Sequence, residues 1–214
     1  RREMFRLVDP VLPRSGFVKG DKLVAFLGDF IPPKVCFEDL PLPLVVVATD
    51  FSSGQRAVFS RGPVLAAVRA SMSIAGVFVP VEIGGRIYVD GGAADVLPSD
   101  LPRILGARRV IAVGLHPPPA GSHGTVMQDE RFLAVPPKGY SQAKGAPGVI
   151  SLVMRSIDIM DHATEAASVA ADKPDVLILP AIQDIGTLEF DRSAEAIQAG
   201  RNAAQALSRE IGRI

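Results

Sequence analysis

Short apolar runs alternate along this chain with stretches whose apolar residues recur every three or four positions. Leu44–Ala48 is a continuous valine-rich run, the pattern of a strand covered on both faces. Arg109–Leu115 and Pro174–Pro180 repeat that pattern. Between them the period changes. Lys22–Phe30 carries Leu23, Phe26, Leu27 and Phe30 at helical spacing, opened by Gly20-Asp21 and stopped by Pro32-Pro33. Pro63 suits a first helical position, so Val64–Met72 is expected to be helical. Gly148–Ala171 has the pattern of a long helix. In Ser193–Arg213, Ile197, Gly200, Ala204, Leu207 and Ile211 are expected to share one helix face.

Smaller elements fill the gaps. Ser52-Ser53-Gly54-Gln55 is expected to turn the chain into a short returning strand, Arg56–Ser60. Val77–Ile83 and Arg86–Val89 are strand-like and meet at Gly84-Gly85, a hairpin signal. Ser99 is placed to cap a short helix over Leu101–Leu105, closed by Gly106. His116 to Pro147 is rich in proline and glycine and too long for an ordinary connection. It fits a lid touching a lipid surface or a solvated loop. There is no internal repeat. Buried strands alternating with helices predict an α/β domain with a largely parallel sheet.

Composition narrows the function classes. Hydrophobic residues make up 48% and charged residues 21% of 214, ordinary for a globular protein. Lys plus Arg (23) equals Asp plus Glu (23), which argues against a broad nucleic-acid-binding surface. Cys36 is the single cysteine, so neither an intrachain disulfide nor a cysteine metal cluster is available. A reducing compartment, the cytoplasm, fits. The longest apolar runs are far too short to span a bilayer, and no signal peptide is visible. The chain opens Arg1-Arg2-Glu3 without an initiator methionine, which fits a processed chain, a cut one or a missing N-terminal part; the last would leave room for functional residues upstream.

The candidate chemistry centres on Ile87-Tyr88-Val89-Asp90-Gly91-Gly92. A carboxylate ends an apolar strand, and two glycines follow that permit close backbone approach. The same residues also fit a plain turn. Asp50 ends another strand and fits a turn residue ahead of Ser52-Ser53-Gly54. Ser71 and Ser73 fit capping better than pocket lining. Ala120-Gly121-Ser122-His123-Gly124 imitates a nucleophile elbow, but three prolines precede it and no helical pattern follows. His116, His123 and His162 show no metal-ligand spacing, and His162 is expected at a surface or in packing.

Several segments in register resemble the bacterial patatin-like phospholipases. They are Val45-Val46-Val47-Ala48-Thr49-Asp50 with Gly54, Ser60-Arg61-Gly62, Ala70-Ser71-Met72-Ser73-Ile74-Ala75-Gly76-Val77-Phe78, and Val89-Asp90-Gly91-Gly92. Leu97-Pro98, Gly106 and Val110-Ile111-Ala112-Val113 follow in order. Pro180, Asp184-Ile185-Gly186, Phe190-Asp191 and Ala199-Gly200 resemble the end of the same domain, and Ser15–Gly20 resembles its stretch ahead of the first helix. Ala75 stands where the family usually has proline, and Asp95-Val96 where it usually has Asn-Pro.

The resemblance implies a three-layer α/β/α fold and a lipid acyl hydrolase working through a Ser–Asp dyad without histidine. By that match Asp90 is the dyad acid, with Gly91 and Gly92 completing its motif. The family's serine lies in Gly-x-Ser-x-Gly, which occurs nowhere in these residues. The chain is therefore expected to be the C-terminal part of one patatin-like domain over residues 1–214, with 116–147 a long loop within it. Alone, it is expected not to hydrolyse esters. The substrate implied is a phospholipid or another acyl-ester lipid, met peripherally at a membrane. Neither metal nor organic cofactor is implied. A non-catalytic scaffold that binds lipid or a protein partner is the competing expectation.

Overall fold

The computed structural model describes residues 8–12, 15–116, 145, 147–186 and 189–214. The elements relevant to the site are α1 (Asp21–Leu27), β1 (Val46–Asp50), β2 (Arg56–Phe59), α2 (Val64–Ser71), β3 (Val81–Ile83) and β4 (Arg86–Val89). After them come α3 (Leu101–Ile104), β5 (Ile111–Val113), α4 (Val149–Asp172), β6 (Val176–Ile178), α5 (Ser193–Ala206) and α6 (Ser208–Ile211).

Four strands form one sheet in the order β2-β1-β4-β3, and every pairing in it is antiparallel. This corrects the expectation of a largely parallel sheet. The valine run of β1 is covered not by crossover helices on both faces but by α2 on one face and hairpin neighbours at its edges. A two-residue turn returns β3 into β4, and Gly84 and Gly85 both have positive φ, 60° and 77°. That backbone twist matches antiparallel strands and no others. The parallel pairing is confined to β5 and β6, with Ile111 opposite Val176 and Val113 opposite Ile178. A parallel pair needs a long crossover, and α4 lies within it. The described residues thus form an α/β fold with two small sheets. Ile111 and Val113 are half exposed, whereas sequence reasoning expects them buried.

Two core clusters hold the larger sheet. Phe37, Val64 and Ala67 pack with Val46 and Phe59, and Ala48, Ala70 and Tyr88 pack with Ala57, Val81 and Ile83. Tyr88 meets Phe59 edge-on, with ring centroids 5.2 Å apart. Behind α2, the buried Arg69 donates to Ser73 Oγ (2.6 Å) and to the carbonyls of Lys19 (2.5 Å) and Val79 (2.8 Å). It thereby ties α2, the entry to α1 and the run into β3 together. Residues 16–18 lie flat against 77–79, so closely that a Cβ on Gly16 would sit 2.5 Å from the Phe78 carbonyl carbon. The start of α1 at Gly20-Asp21 has a remote cap: Asp9 accepts from the N–H groups of Gly20 (2.7 Å) and Lys22 (3.1 Å).

The long helix α4 turns charged groups inward beside the apolar Met154, Ile157 and Val169. Asp158, Asp161, His162 and Glu165 lie on its inward face, and Glu165 is only 3% exposed. Its apolar Val149, Leu152, Ile159 and Met160 are exposed. The last helix is interrupted at Leu207, where ψ is 15°, and its inward face carries Ala199, Gly200, Ala203 and Ala204. Ile197, expected on that face, is 63% exposed. Most of the 116–147 loop, with Ser122 and His123, lies outside the described residues. Among the described residues no helix is long and apolar enough to cross a membrane.

Gly16 and Gly200 offer a paired test. Gly200→Ala finds open space within its helix and should stabilise by about 0.5–1 kcal/mol. Gly16→Ala must displace backbone and should destabilise by about 1–3 kcal/mol. Urea unfolding of the two variants reads both signs.

Candidate active site

Asp90 follows directly on β4, at the start of a single 3-10 turn over Gly91–Ala93. Its backbone is fixed on both sides. The Asp90 N–H donates to the Ser73 carbonyl at 3.0 Å, and its carbonyl accepts from Thr49 Oγ1 at 2.7 Å. Thr49 is buried in β1, opposite Val89. Oδ1 accepts the Gly92 N–H at 2.8 Å, and among the described residues no donor reaches Oδ2. One carboxylate oxygen therefore orients the group while the other stays available.

The two glycines have different reasons. A Cβ on Gly91 would lie 2.5 Å from the Val47 carbonyl oxygen and 3.6 Å from Ser71 Oγ, so the turn presses on β1 too closely for any side chain. A Cβ on Gly92 would lie 3.0 Å from Asp90 Oδ1. Burial raises the proton affinity of Asp90 above the ordinary carboxylate range. The Gly92 hydrogen bond opposes this, and the negative charge of Asp161 on α4 adds to it. Such a carboxyl group is suited to take and return a proton.

The turn is anchored from outside by Arg56 on β2. Its guanidinium meets Asp95 at 2.5 Å and Asp100 through two bonds, of 2.7 and 2.8 Å. Asp95 also donates its backbone N–H to the Gly91 carbonyl at 2.9 Å. Asp95, a departure from the usual asparagine of the resembled family, thus has a charged partner here.

The other sequence candidates have local roles. Asp50 accepts from the N–H groups of Ser52 and Ser53, both at 3.0 Å, and meets Arg86 at 3.1 Å. The hydrogen bond from Ser53 leads in holding its carboxyl below the usual range, as befits a turn residue. Ser73 is fully buried, and its Oγ donates to the Arg69 carbonyl at 2.9 Å at the end of α2. Ser71 borders the Gly91 approach.

Sequence reasoning missed a second group. His116, just past β5, donates its backbone N–H to Glu165, and its Nδ1 lies 3.1 Å from Glu165 Oε2. The Leu115 N–H reaches the same oxygen at 3.2 Å. His116 Nε2 is 3.9 Å from Asp161, and the His116 and His162 rings meet edge-on at 5.3 Å. His162 Nδ1 is buried without a hydrogen-bond partner among the described residues. The available signal was the spacing of 158, 161, 162 and 165 along one helix face. No cluster among the described residues has the geometry of a metal site.

Two measurements follow from this geometry. A raised folded-state proton affinity at Asp90 means its ionisation opposes folding. Stability is lost as pH rises from the unfolded carboxylate value, 3.8, through the folded one. Asp90→Asn should therefore be more stable than the parent at pH 7, with the difference shrinking below pH 4, as read by denaturation across pH. Arg56→Gln should lower stability by about 1–2 kcal/mol, a discounted value because the guanidinium is partly solvated. Asp95→Asn should cost less, since Asp100 still holds the arginine.

Comparison with known proteins bears on the family. A family model for patatin-like phospholipases matches residues 2–102, the segment that holds β1 to β4 and the Asp-Gly-Gly turn. An uncharacterized NTE family protein of Mycobacterium tuberculosis is 29% identical over 267 aligned positions, covering 97% of this chain and 74% of that protein. The alignment is longer than the 214-residue chain, so that relative carries residues without a counterpart here. A second NTE family protein of the same organism is 29% identical over 94% of this chain and 34% of its own length. A patatin-like phospholipase domain-containing protein of Caenorhabditis elegans is 34% identical over 50% of this chain and 8% of its own length. With the Asp-Gly-Gly segment inside the matched region and relatives aligned along nearly its whole length, these comparisons support a patatin-like family for this chain.

Proposed function

We propose that these residues form the C-terminal part of one patatin-like domain and belong to a lipid acyl hydrolase in which Asp90 is the general base of a Ser–Asp dyad. The observation that carries this is the half-buried carboxyl group fixed at a strand end, with one oxygen oriented by Gly92 and its proton affinity raised by burial. The serine comes from a segment outside these 214 residues, which contain no Gly-x-Ser-x-Gly.

The reaction then runs in two halves. Asp90 takes the serine proton as the hydroxyl oxygen attacks the ester carbonyl, then gives it to the departing alcohol oxygen. An acyl-serine remains. Water attacks it while Asp90 takes the water proton. That proton returns to the serine as the fatty acid leaves. The developing oxyanion needs N–H donors, each worth about 3 kcal/mol in related hydrolases. A mostly apolar cleft of about 470 Å3 lies beside Phe17, Ala75, Val77 and Met154. Asp90 is not among its lining residues; the apolar lining supports an acyl chain as the bound group. The substrate class is a phospholipid or lysophospholipid met at a membrane surface from the cytoplasmic side, and the dyad itself calls for no metal or organic cofactor.

A fluorophosphonate probe applied to the longest expressed form should label one serine upstream of residue 1. Asp90→Asn should reduce hydrolysis of a short p-nitrophenyl ester by about 10²–10⁴-fold. The 214 residues alone should give no turnover. A non-catalytic lipid- or protein-binding scaffold is favoured by one observation, the absence of the elbow motif from these residues. No labelling of the longest form would establish that reading, and unchanged activity in Asp90→Asn would remove Asp90 from the mechanism.

A further inference from the structure

Asp158, Asp161, His162 and Glu165 turn one face of α4 inward, an arrangement that costs free energy unless the groups are paired. Glu165, 3% exposed, accepts from the backbone N–H groups of Leu115 and His116 at 3.2 Å each. Its Oε2 lies 3.1 Å from His116 Nδ1, which fixes Nδ1–H as the donor. A Cβ on Gly114 would lie 2.3 Å from Glu165 Oε1, so the strand end closes over that carboxylate. The imidazole is held on one side, and its other nitrogen, Nε2, is aimed across 3.9 Å at Asp161.

This is the arrangement of an oriented acid–base imidazole, and the dyad chemistry has no use for it. We propose that His116, held by Glu165, forms an ion pair with Asp161 when protonated and so sets the charge that α4 presents to Asp90. The importance of the pair for catalysis rests on the reading of Asp90 as the base; its existence does not.

The direction follows from the charges. Protonated His116 offsets the Asp161 carboxylate, and Asp90 then faces less negative charge from α4. When His116 loses its proton, Asp161 loses that compensation, and Asp90 holds a proton more tightly. The hydrogen bond to Glu165 leads in raising the proton affinity of His116 above the ordinary imidazole range, aided by Asp161 and Asp158. Burial leads in raising that of Asp161, opposed by His116 and His162. The groups facing His116 from the packed helix are therefore Asp158, Asp161, His162 and Glu165. The field at Asp90 from this side comes from Asp161.

Carboxyl ¹³C titration of Asp90 in the longest expressed form tests the pair without requiring activity. His116→Gln should raise the Asp90 midpoint, and Asp161→Asn should lower it, each by about half a pH unit or more. The double variant should behave as Asp161→Asn alone, because the histidine acts through that carboxylate. Asp175→Asn, on the far side of β5, should leave the midpoint unmoved. Amide spectra verify that each variant is folded. If His116→Gln does not fold, Asp161→Asn decides. An Asp90 midpoint that stays fixed or rises in folded Asp161→Asn would overturn the inference, as would one unmoved in folded His116→Gln. Loss of the dyad reading would show instead in the ester assay, with these titrations intact.

Discussion

The close approach of the Gly91 turn to the Val47 carbonyl is the constraint on which the site rests. It brings the end of β4 down onto β1 and leaves Asp90 no freedom in its backbone. Thr49 and Ser73 then hold the carbonyl and the N–H, and Gly92 holds one carboxylate oxygen. Each contact would be ordinary alone. Together they fix a partly desolvated acid in one orientation, and desolvation raises its proton affinity. The stability lost by burying the acid and the chemistry gained from it have the same cause.

Charge is arranged around this acid in two different ways. On the β2 side, Arg56 neutralises Asp95 and Asp100 and pins the segment after the turn to the sheet. On the α4 side, Asp161 and Glu165 face the His116 imidazole. The first arrangement fixes position. The second sets a titratable ring beside two carboxylates. That division explains why the asparagine usual in the family can be an aspartate here: a cation stands ready for it.

The hairpin at Gly84-Gly85, helix α2 after Pro63 and the strand-end acid Asp90 were legible because each depends on local chemistry, glycine conformations, a proline φ or a polar residue closing an apolar run. The strand directions of the larger sheet were not. A short valine run looks the same whether helices or hairpin neighbours cover it, and only long-range pairing decides. The cap of α1 by Asp9 was equally hidden, since its partner lies more than ten residues away. The pairing of His116 with Glu165 joins residues 49 positions apart, so no local pattern announces it. Ile197 was misplaced, at 63% exposed, while Gly200, Ala204, Leu207 and Ile211 of the same expected face are half-buried, because the inward stripe passes through Ala199 and Ala203 beside them.

The inward charges of α4 have a consequence for anyone surveying substitutions along it. On an ordinary amphipathic helix, tolerance is greatest at charged positions and least at aliphatic ones. Here Glu165 breaks that ranking. Ile159 and Met160 point outward and can be exchanged for hydrophilic residues at little cost, while Glu165, by character a surface residue, is the position where even a modest replacement strands three N–H donors.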